Sequence, residues 1–421
     1  MPALPPALQS RNFQLFWGAY TLSSFGNQFT TVAMAWQIYS LTGSAMDLGL
    51  LGLARGVPQI ALVLFGGMLA DMFDRRKLLM QLQVAQFFIS AVLVGFTIGG
   101  YIAPWVLYAA SFFLAIITAL ENPTRVSIVP NLVPRDQLTS AVALSSTIRT
   151  VGNIAGPPLA GLFLGVGSVE ICYAVTAACF LLMLVALFFI RPLAESTSTK
   201  RTVMSWDALL DGLRFVWAHP VILSFMALDF SANLFGTARA LFPIFALDIL
   251  GVGAQGLGIL YAASSIGSIV AASTLSTVKE ATHTGRLVIF GVAVQALTWI
   301  AFAYSPYLWL SAILLALGGM GDTVSQILRT TINQILTPDE LRGRISSINS
   351  VFVNGGGPLG QFRSGVIAEL WGARTSTALG GVVTLGIAVI AAMVPLLWTF
   401  QLRQIQPPQE EPKPTPSPAR P

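Results

Sequence analysis

Charge is what this chain has least of. Only 10% of its 421 residues are Asp, Glu, Lys or Arg, against 54% that are hydrophobic. A soluble domain carries about 25% charged residues. So few cannot cover a water-facing surface, which excludes a soluble globular protein and turns most of the surface toward lipid. Cysteine is scarce as well. Cys172 and Cys179 fall two helical turns apart in one apolar run, some 10 Å along a helix and beyond disulfide reach, so they read as small buried hydrophobes. The two histidines, His219 and His283, have no ligand partners near them in sequence, so neither a metal nor a cofactor is expected. A Gly-x-Ser-x-Gly elbow, a His-Glu-x-x-His pair and a phosphate-cradling Gly-rich loop are all missing, which argues against an enzyme. The net charge of +5 does not signal nucleic acid, because the cations lie in loops between apolar runs and not on one soluble face.

What is present is a series of long apolar runs. A membrane-spanning helix needs roughly 20 apolar residues. The runs fall approximately at 14–40, 45–70, 78–100, 104–123, 138–166, 169–190, 220–248, 255–278, 286–304, 307–332, 343–369 and 373–398, twelve spans in all. No signal-peptide pattern precedes the first. An even count puts both termini on one side, and with that side cytoplasmic 18 of the 23 Lys and Arg residues fall inside. Arg125, Arg329, Arg342 and Arg344 are counted among those loop cations. The expected order is a six-helix bundle over 1–190, a cytoplasmic linker with an amphipathic helix over 191–219, a second bundle over 220–400, and a disordered Pro-rich tail over 401–421.

The halves repeat. Arg125, Leu132 and Pro134 precede Arg329, Leu336 and Pro338 by 204 residues. Ala45, Leu48, Gly49 and Leu51 precede Ala254, Leu257, Gly258 and Leu260 by 209. Gly156-Pro157 precedes Gly357-Pro358 by 201. Offsets this similar, in the same order, indicate duplicated six-helix units with a substrate path between them near mid-membrane.

Between spans two and three lies the densest charge in the chain, Asp71-Met72-Phe73-Asp74-Arg75-Arg76-Lys77, entered through the small residues Gly66, Gly67 and Ala70. Asp71 and Arg75 stand four apart and share a helical face. Gly67-x-Leu69-Ala70-Asp71-x-x-x-Arg75-Arg76 resembles the loop signature of the major facilitator superfamily, with Met72 where Arg is usual and Asp74 where Gly is usual. Tyr39-Ser40-Leu41-Thr42-Gly43-Ser44, Pro130-Asn131-Leu132-Val133-Pro134 and Leu341-Arg342-Gly343-Arg344-Ile345 resemble the branch that holds macrolide efflux pumps and the enterobactin exporter. The resemblance implies a cytoplasmic gate in which Asp71 meets span eleven and Arg75 an acid on span four, for which Glu121 is the candidate; Arg76 and Arg125 belong to the same cluster. In span five, Gly152-x-x-x-Gly156-Pro157-x-x-Ala160-Gly161 places small residues on one face and a proline kink beside them. It is similar to the antiporter signature of drug:proton exporters, with Ala160 replacing a glycine.

Four ionisable residues fall near the middle of a roughly 30 Å core: Arg55, Arg149, Asp229 and Asp322. Each costs at least about 2.5 kcal/mol to insert and needs a partner or a wet cavity. None has one nearby in sequence. The arginines sit in the first half and the aspartates in the second, so pairing across a cavity is one expectation, and a fixed staple between helices is the alternative. Asp229 or Asp322 is the expected proton carrier. Arg239 and Arg363, nearer the outer side, suit a funnel or a staple equally. Asn27, Gln28, Asn233 and Gln326 are polar candidates for the cavity; Asn27 stands where the resemblance implies an acid in many exporters of that branch, so coupling here would rest elsewhere. Aromatics at span ends, among them Phe13, Phe16, Tyr101, Trp105, Tyr304, Tyr307 and Trp309, suit an interfacial belt.

The expectation is therefore an all-α membrane protein of twelve transmembrane helices in two pseudo-symmetric bundles, monomeric, in a bacterial inner membrane. It would exchange an amphipathic small molecule for protons in the export direction, with an importer or a proton-independent facilitator of the same fold as the alternative.

Overall fold

The computed structural model describes residues 5–63, 74–190, 213–236, 238–277, 283–338 and 342–401, with the side chains of Val63, Arg149, 342–344, 346–347 and 351–354 outside that description. Among the described residues, twelve long helices follow in order: α1 Arg11–Thr42, α2 Ala45–Val63, α3 Arg75–Ile98, α4 Pro104–Ile128, α5 Leu138–Val166, α6 Val169–Phe189, α7 Pro220–Phe235, α8 Gly253–Thr277, α9 Thr284–Ala303, α10 Leu308–Leu336, α11 Arg342–Trp371 and α12 Ala373–Met393. Among the described residues, eight runs are long and apolar enough to cross a membrane on that ground alone. The other four, α1, α2, α5 and α11, do not meet that criterion over their described residues, and all four contribute to the lining of an internal cavity.

Local chemistry sets the helix ends. Gly43 closes α1 in the left-handed conformation, φ 64°, and donates its N–H to the Tyr39 carbonyl. Asp74 caps α3 by accepting the Lys77 N–H at 2.9 Å. Pro104 and Pro220 start α4 and α7 where no N–H is needed. The seventh span departs from a continuous helix over 220–248. It stops at Phe235, Gly236 closes it, and the chain resumes through a tight turn at Arg239–Leu241 and a wide turn over Phe245–Ile249. Gly236 lowers helix propensity there, and Pro243 lacks the N–H a continuous helix would use.

A large apolar cluster joins both halves at the α1 C-terminal end, where Ile38, Leu48 and Leu107 meet Phe242, Phe245 and Leu257. Smaller clusters serve one half each. Of the aromatics expected at span ends, Tyr101, Trp105, Tyr304, Tyr307 and Trp309 are exposed there, whereas Phe13 and Phe16 are fully buried. The linker over 191–212 and the tail from 402 lie outside the described residues.

The halves close on each other along two matched seams. In one, α5 meets α8: a Cβ on Gly161 would lie 2.2 Å from the Gly258 Cα. In the other, α2 meets α11: a Cβ on Gly365 would lie 2.6 Å from the Gly49 Cα. Gly49 and Gly258 are counterparts in the 209-residue repeat. Both seams lie toward the α1 C-terminal end. There Glu369 of α11 accepts the Ser44 hydroxyl at 3.1 Å and the Met46 N–H at 3.0 Å, and Tyr39 donates its hydroxyl proton to Asp248.

Candidate functional site: a central cavity with paired charges

The cavity between the halves has a volume of about 350 Å³, within the range of small-molecule pockets. Helices α1, α2, α4, α5, α8 and α11 line it, together with the broken segment after α7. Its polar face includes Asn27 and Gln28, both candidates from the sequence, with Thr31, Asn153 and Gln361. Its apolar wall includes Val32, Leu51 and Leu114. The Gln28 side-chain amide donates to the Asn153 Oδ1 at 2.7 Å, tying α1 to α5. Arg55 reaches in from α2 and donates to the Thr31 hydroxyl at 3.1 Å. Arg239 reaches in from the segment after α7 and donates to the Ser264 hydroxyl at 3.2 Å. Among the described residues, no Asp or Glu lines this cavity.

The two aspartates sit behind it, and each has a partner that is distant in sequence. Asp322 lies in a small adjoining pocket that shares Arg239 and Ser264 with the main cavity. Its ion pair with Arg239 spans 3.7 Å, and the two side chains keep 28% and 47% of their exposure. Asp229 is buried and pairs with Arg329 at 2.9 Å. Both pairs lie within the second half, so they do not run from first-half arginine to second-half aspartate as expected. Arg329 is a second correction: it is not a loop cation but a buried residue of α10, 3% exposed, held inside by Asp229. Arg125 likewise lies within α4 and is buried, its guanidinium 4.4 Å from the Tyr20 ring centre.

The other candidates divide. Asn233 donates to the Asp229 carbonyl at 2.9 Å, one turn along α7, and its Cβ would meet a Cβ on Gly356 of α11 at 3.0 Å. Gln326 is exposed on α10. Neither Asn233 nor Gln326 lines the cavity. Arg149 lies on α5 with its side chain outside the described residues. Arg363 donates to the neighbouring Ser364 hydroxyl at 2.9 Å and, across to α7, to the Phe235 carbonyl at 3.4 Å.

Gly67 and Asp71 lie outside the described residues. Of the charge cluster that follows, Arg75 donates to the Ser127 carbonyl at 3.0 Å, near the end of α4. Arg76 donates to the Leu187 and Phe188 carbonyls at 3.0 Å each, at the end of α6. These are the carbonyls a helix leaves unpaired, and cations are favoured there. Glu121 is buried on α4; Gln83 and Gln86 of α3 donate to its two carboxylate oxygens at 3.1 and 3.0 Å. The glycines of the span-five motif make close approaches. A Cβ on Gly152 would lie 2.0 Å from the Ser24 hydroxyl, one on Gly156 2.6 Å from Gln28, and Gly161 forms the α5–α8 seam. Pro157 lines the cavity.

Reasoning from sequence missed Thr31, Asn153, Tyr261, Ser264 and Gln361. Thr31 lies four residues after Asn27, so helical spacing alone places both on one face. For Arg239 it left the cavity and a staple open.

The profile of the transmembrane secretion effector family matches residues 3–417. The chain is similar to the enterobactin exporter EntS of Citrobacter koseri, 25% identical over 380 residues that cover 90% of this chain and 89% of that protein. It is similar to EntS of Escherichia coli O1:K1 to the same degree, over 383 residues and 90% of each chain. Its fold is similar to that of a bacterial homologue of the human lysosomal transporter Spinster in an inward-facing, unoccupied conformation (TM-score 0.70, 17% identity, 96% of this chain and 99% of that one). It is also similar to that of the nucleoside transporter NupG (TM-score 0.72, 14% identity, 93% and 100%). The chain belongs to the transmembrane secretion effector family of the major facilitator superfamily, and is a multi-pass membrane transporter rather than an enzyme.

Proposed function

We propose that the protein exports amphipathic small molecules, drugs or siderophore-like metabolites, across a bacterial inner membrane by alternating access, driven by inward proton flow. The observation that carries this reading is the cavity held between two matched halves, with both glycine seams toward one end of it. The outward direction is supported by the secretion effector family and by the enterobactin exporters among the relatives. The positive-inside pattern supports cytoplasmic termini, which puts the seams on the outer side and makes this the state that loads from the cytoplasm. One chain encloses the cavity, which supports a monomer as the working unit.

Asp322 is the better candidate for the coupling proton. Its ion pair with Arg239 is long and open to the cavity, so protonation releases Arg239 and unties the segment after α7 from α10. Asp229, clamped by Arg329 at 2.9 Å, suits a staple. Asp71, Arg75 and Glu121 remain the proposed inner gate. The pairing of both acids with arginines favours a second reading, a facilitator without proton coupling. The test is purified protein in liposomes loaded with a pH-sensitive dye and offered a panel of amphipathic compounds. Substrate-dependent proton movement that Asp322→Asn abolishes supports antiport. Substrate movement without a proton signal supports the facilitator.

A further inference from the structure

Among the described residues, two arginines face the central cavity and no carboxylate does. Arg239 has Asp322 behind it. Arg55 has only the neutral Thr31 hydroxyl, and among the described residues no acid forms an ion pair with it. Counted over the described residues, the cavity and its adjoining pocket, Asp322 included, hold one net positive charge. A lone guanidinium in a low-dielectric site is costly unless an anion joins it. Guanidinium presents a planar fork of donors that matches a carboxylate in two-point geometry. Around Arg55 the cavity offers an apolar wall from Val32, Leu51 and Leu114, the Tyr261 ring, and the amides of Asn27 and Gln28.

We propose that Arg55 is the anchoring residue of the transport site and that the substrate class is an amphipathic organic anion, an aryl or alkyl carboxylate whose charged end pairs with Arg55 while its apolar body lies on the α2–α4 wall. This rests on the transporter reading of the cavity. The bound anion cancels the cavity's net charge, so the loaded protein closes around a neutral site while the empty one closes around a cation. A neutral or cationic molecule with the same body leaves Arg55 unpaired or adds to its charge.

The test uses the full chain in lipid nanodiscs and three probes with one ring system: 2-naphthoate, 2-naphthalenemethanol and 2-naphthylmethylammonium. Titration calorimetry should show the anion binding about tenfold or more tighter than the alcohol, as a charge-assisted hydrogen bond predicts, with the ammonium weakest. Arg55→Gln should erase the preference and Arg55→Lys should restore part of it; an unchanged melting temperature in both would show that the fold is intact. Equal binding of anion and alcohol, an anion preference that survives Arg55→Gln, or no binding by any probe overturns the proposal. Liposome uptake of the same probes separates the two readings. Arg55-dependent anion binding without movement leaves the site and removes transport, and movement of the alcohol or ammonium alone leaves transport and removes the anion site.

Discussion

Tyr39 donates its hydroxyl proton to Asp248, and the two residues occupy the same place in the two halves: 39 and 248 differ by 209, the offset that also relates Ala45 to Ala254 and Gly49 to Gly258. The contact therefore crosses the pseudo-twofold axis and joins each half at its own copy of one position. A second matched pair lies at the other end of the same helices. Tyr20 and Asp229 also differ by 209, and each is engaged by an arginine of the 204-offset pair, Arg125 over the Tyr20 ring and Arg329 on the Asp229 carboxylate. Duplication kept the geometry and let the chemistry diverge, from cation over ring to ion pair.

The Tyr39–Asp248 contact should help hold the α1 C-terminal end closed. Tyr39→Phe removes the donor. Asp248 is exposed, so the loss is about 0.5–1.5 kcal/mol, the net worth of an ordinary hydrogen bond. The open population should rise about two- to tenfold. With a reporter cysteine at Ala35 in the cavity wall, labelling by an impermeant maleimide from that side should speed up by the same factor. Cys172 and Cys179 are buried and contribute little background.

The glycine seams make a steric prediction. At Gly161 an added methyl carbon lies 2.2 Å from the Gly258 backbone, which cannot move aside as a flexible side chain would. Gly161→Ala should cost about 1–3 kcal/mol of overpacking in the state shown, and favour the state in which the seam parts. Gly49→Ala, at 3.1 Å from the Phe362 carbonyl, should do the same more weakly. Gly95→Ala on α3, with nothing within 4 Å, is the control. Trapping by a cysteine cross-link between α5 and α8 should fall in the first two variants and hold in the third.

These seams also show what the sequence made legible. Twelve apolar runs, their order and the repeat offsets were all readable, because lipid burial demands long apolar stretches and duplication leaves spacing behind. The glycines of span five were readable as a packing face, and Gly161 packs on the other half. Partners were not readable. Asp229 and Arg329 lie 100 residues apart, and nothing in either neighbourhood points to the other. Arg329 reads as a loop cation because hydropathy cannot distinguish a charge beyond a helix from one buried by its mate. The break after Phe235 was hidden because Gly236 is a single small residue within an apolar run, and Arg239 owes its place in the cavity to that break.

The two aspartates should separate by variant. Arg329 is buried with Asp229, so Arg329→Met strands a carboxylate and should cost about 3–5 kcal/mol, lowering the melting temperature steeply. Asp229→Asn with Arg329→Gln should recover part of that loss, because no charge is left alone. Asp322→Asn, at a half-open pair, should leave the melting temperature nearly unchanged and act on proton coupling. Parallel thermal-shift and transport assays test the division. A large melting loss in Asp322→Asn would make that pair a staple too.

Membrane potential gives the sharpest test of how charge crosses. Moving one elementary charge through 100 mV is worth about 2.3 kcal/mol, and each 1.36 kcal/mol is a factor of ten. If a monoanion leaves alone, a potential negative inside drives it outward by about 50-fold in gradient per 100 mV. If one proton enters as the anion leaves, both movements carry positive charge inward. The drive then doubles to about 4.6 kcal/mol, or roughly 2,000-fold. A neutral substrate exchanged for one proton responds as a single charge, and a neutral substrate moving alone does not respond. Liposomes with a potassium diffusion gradient set by valinomycin, at equal pH on both sides, separate these cases by the steady-state gradient of substrate. Asp322→Asn should reduce a two-charge response to one while leaving Arg55-dependent binding intact, because the proton site and the anion site are carried by different residues.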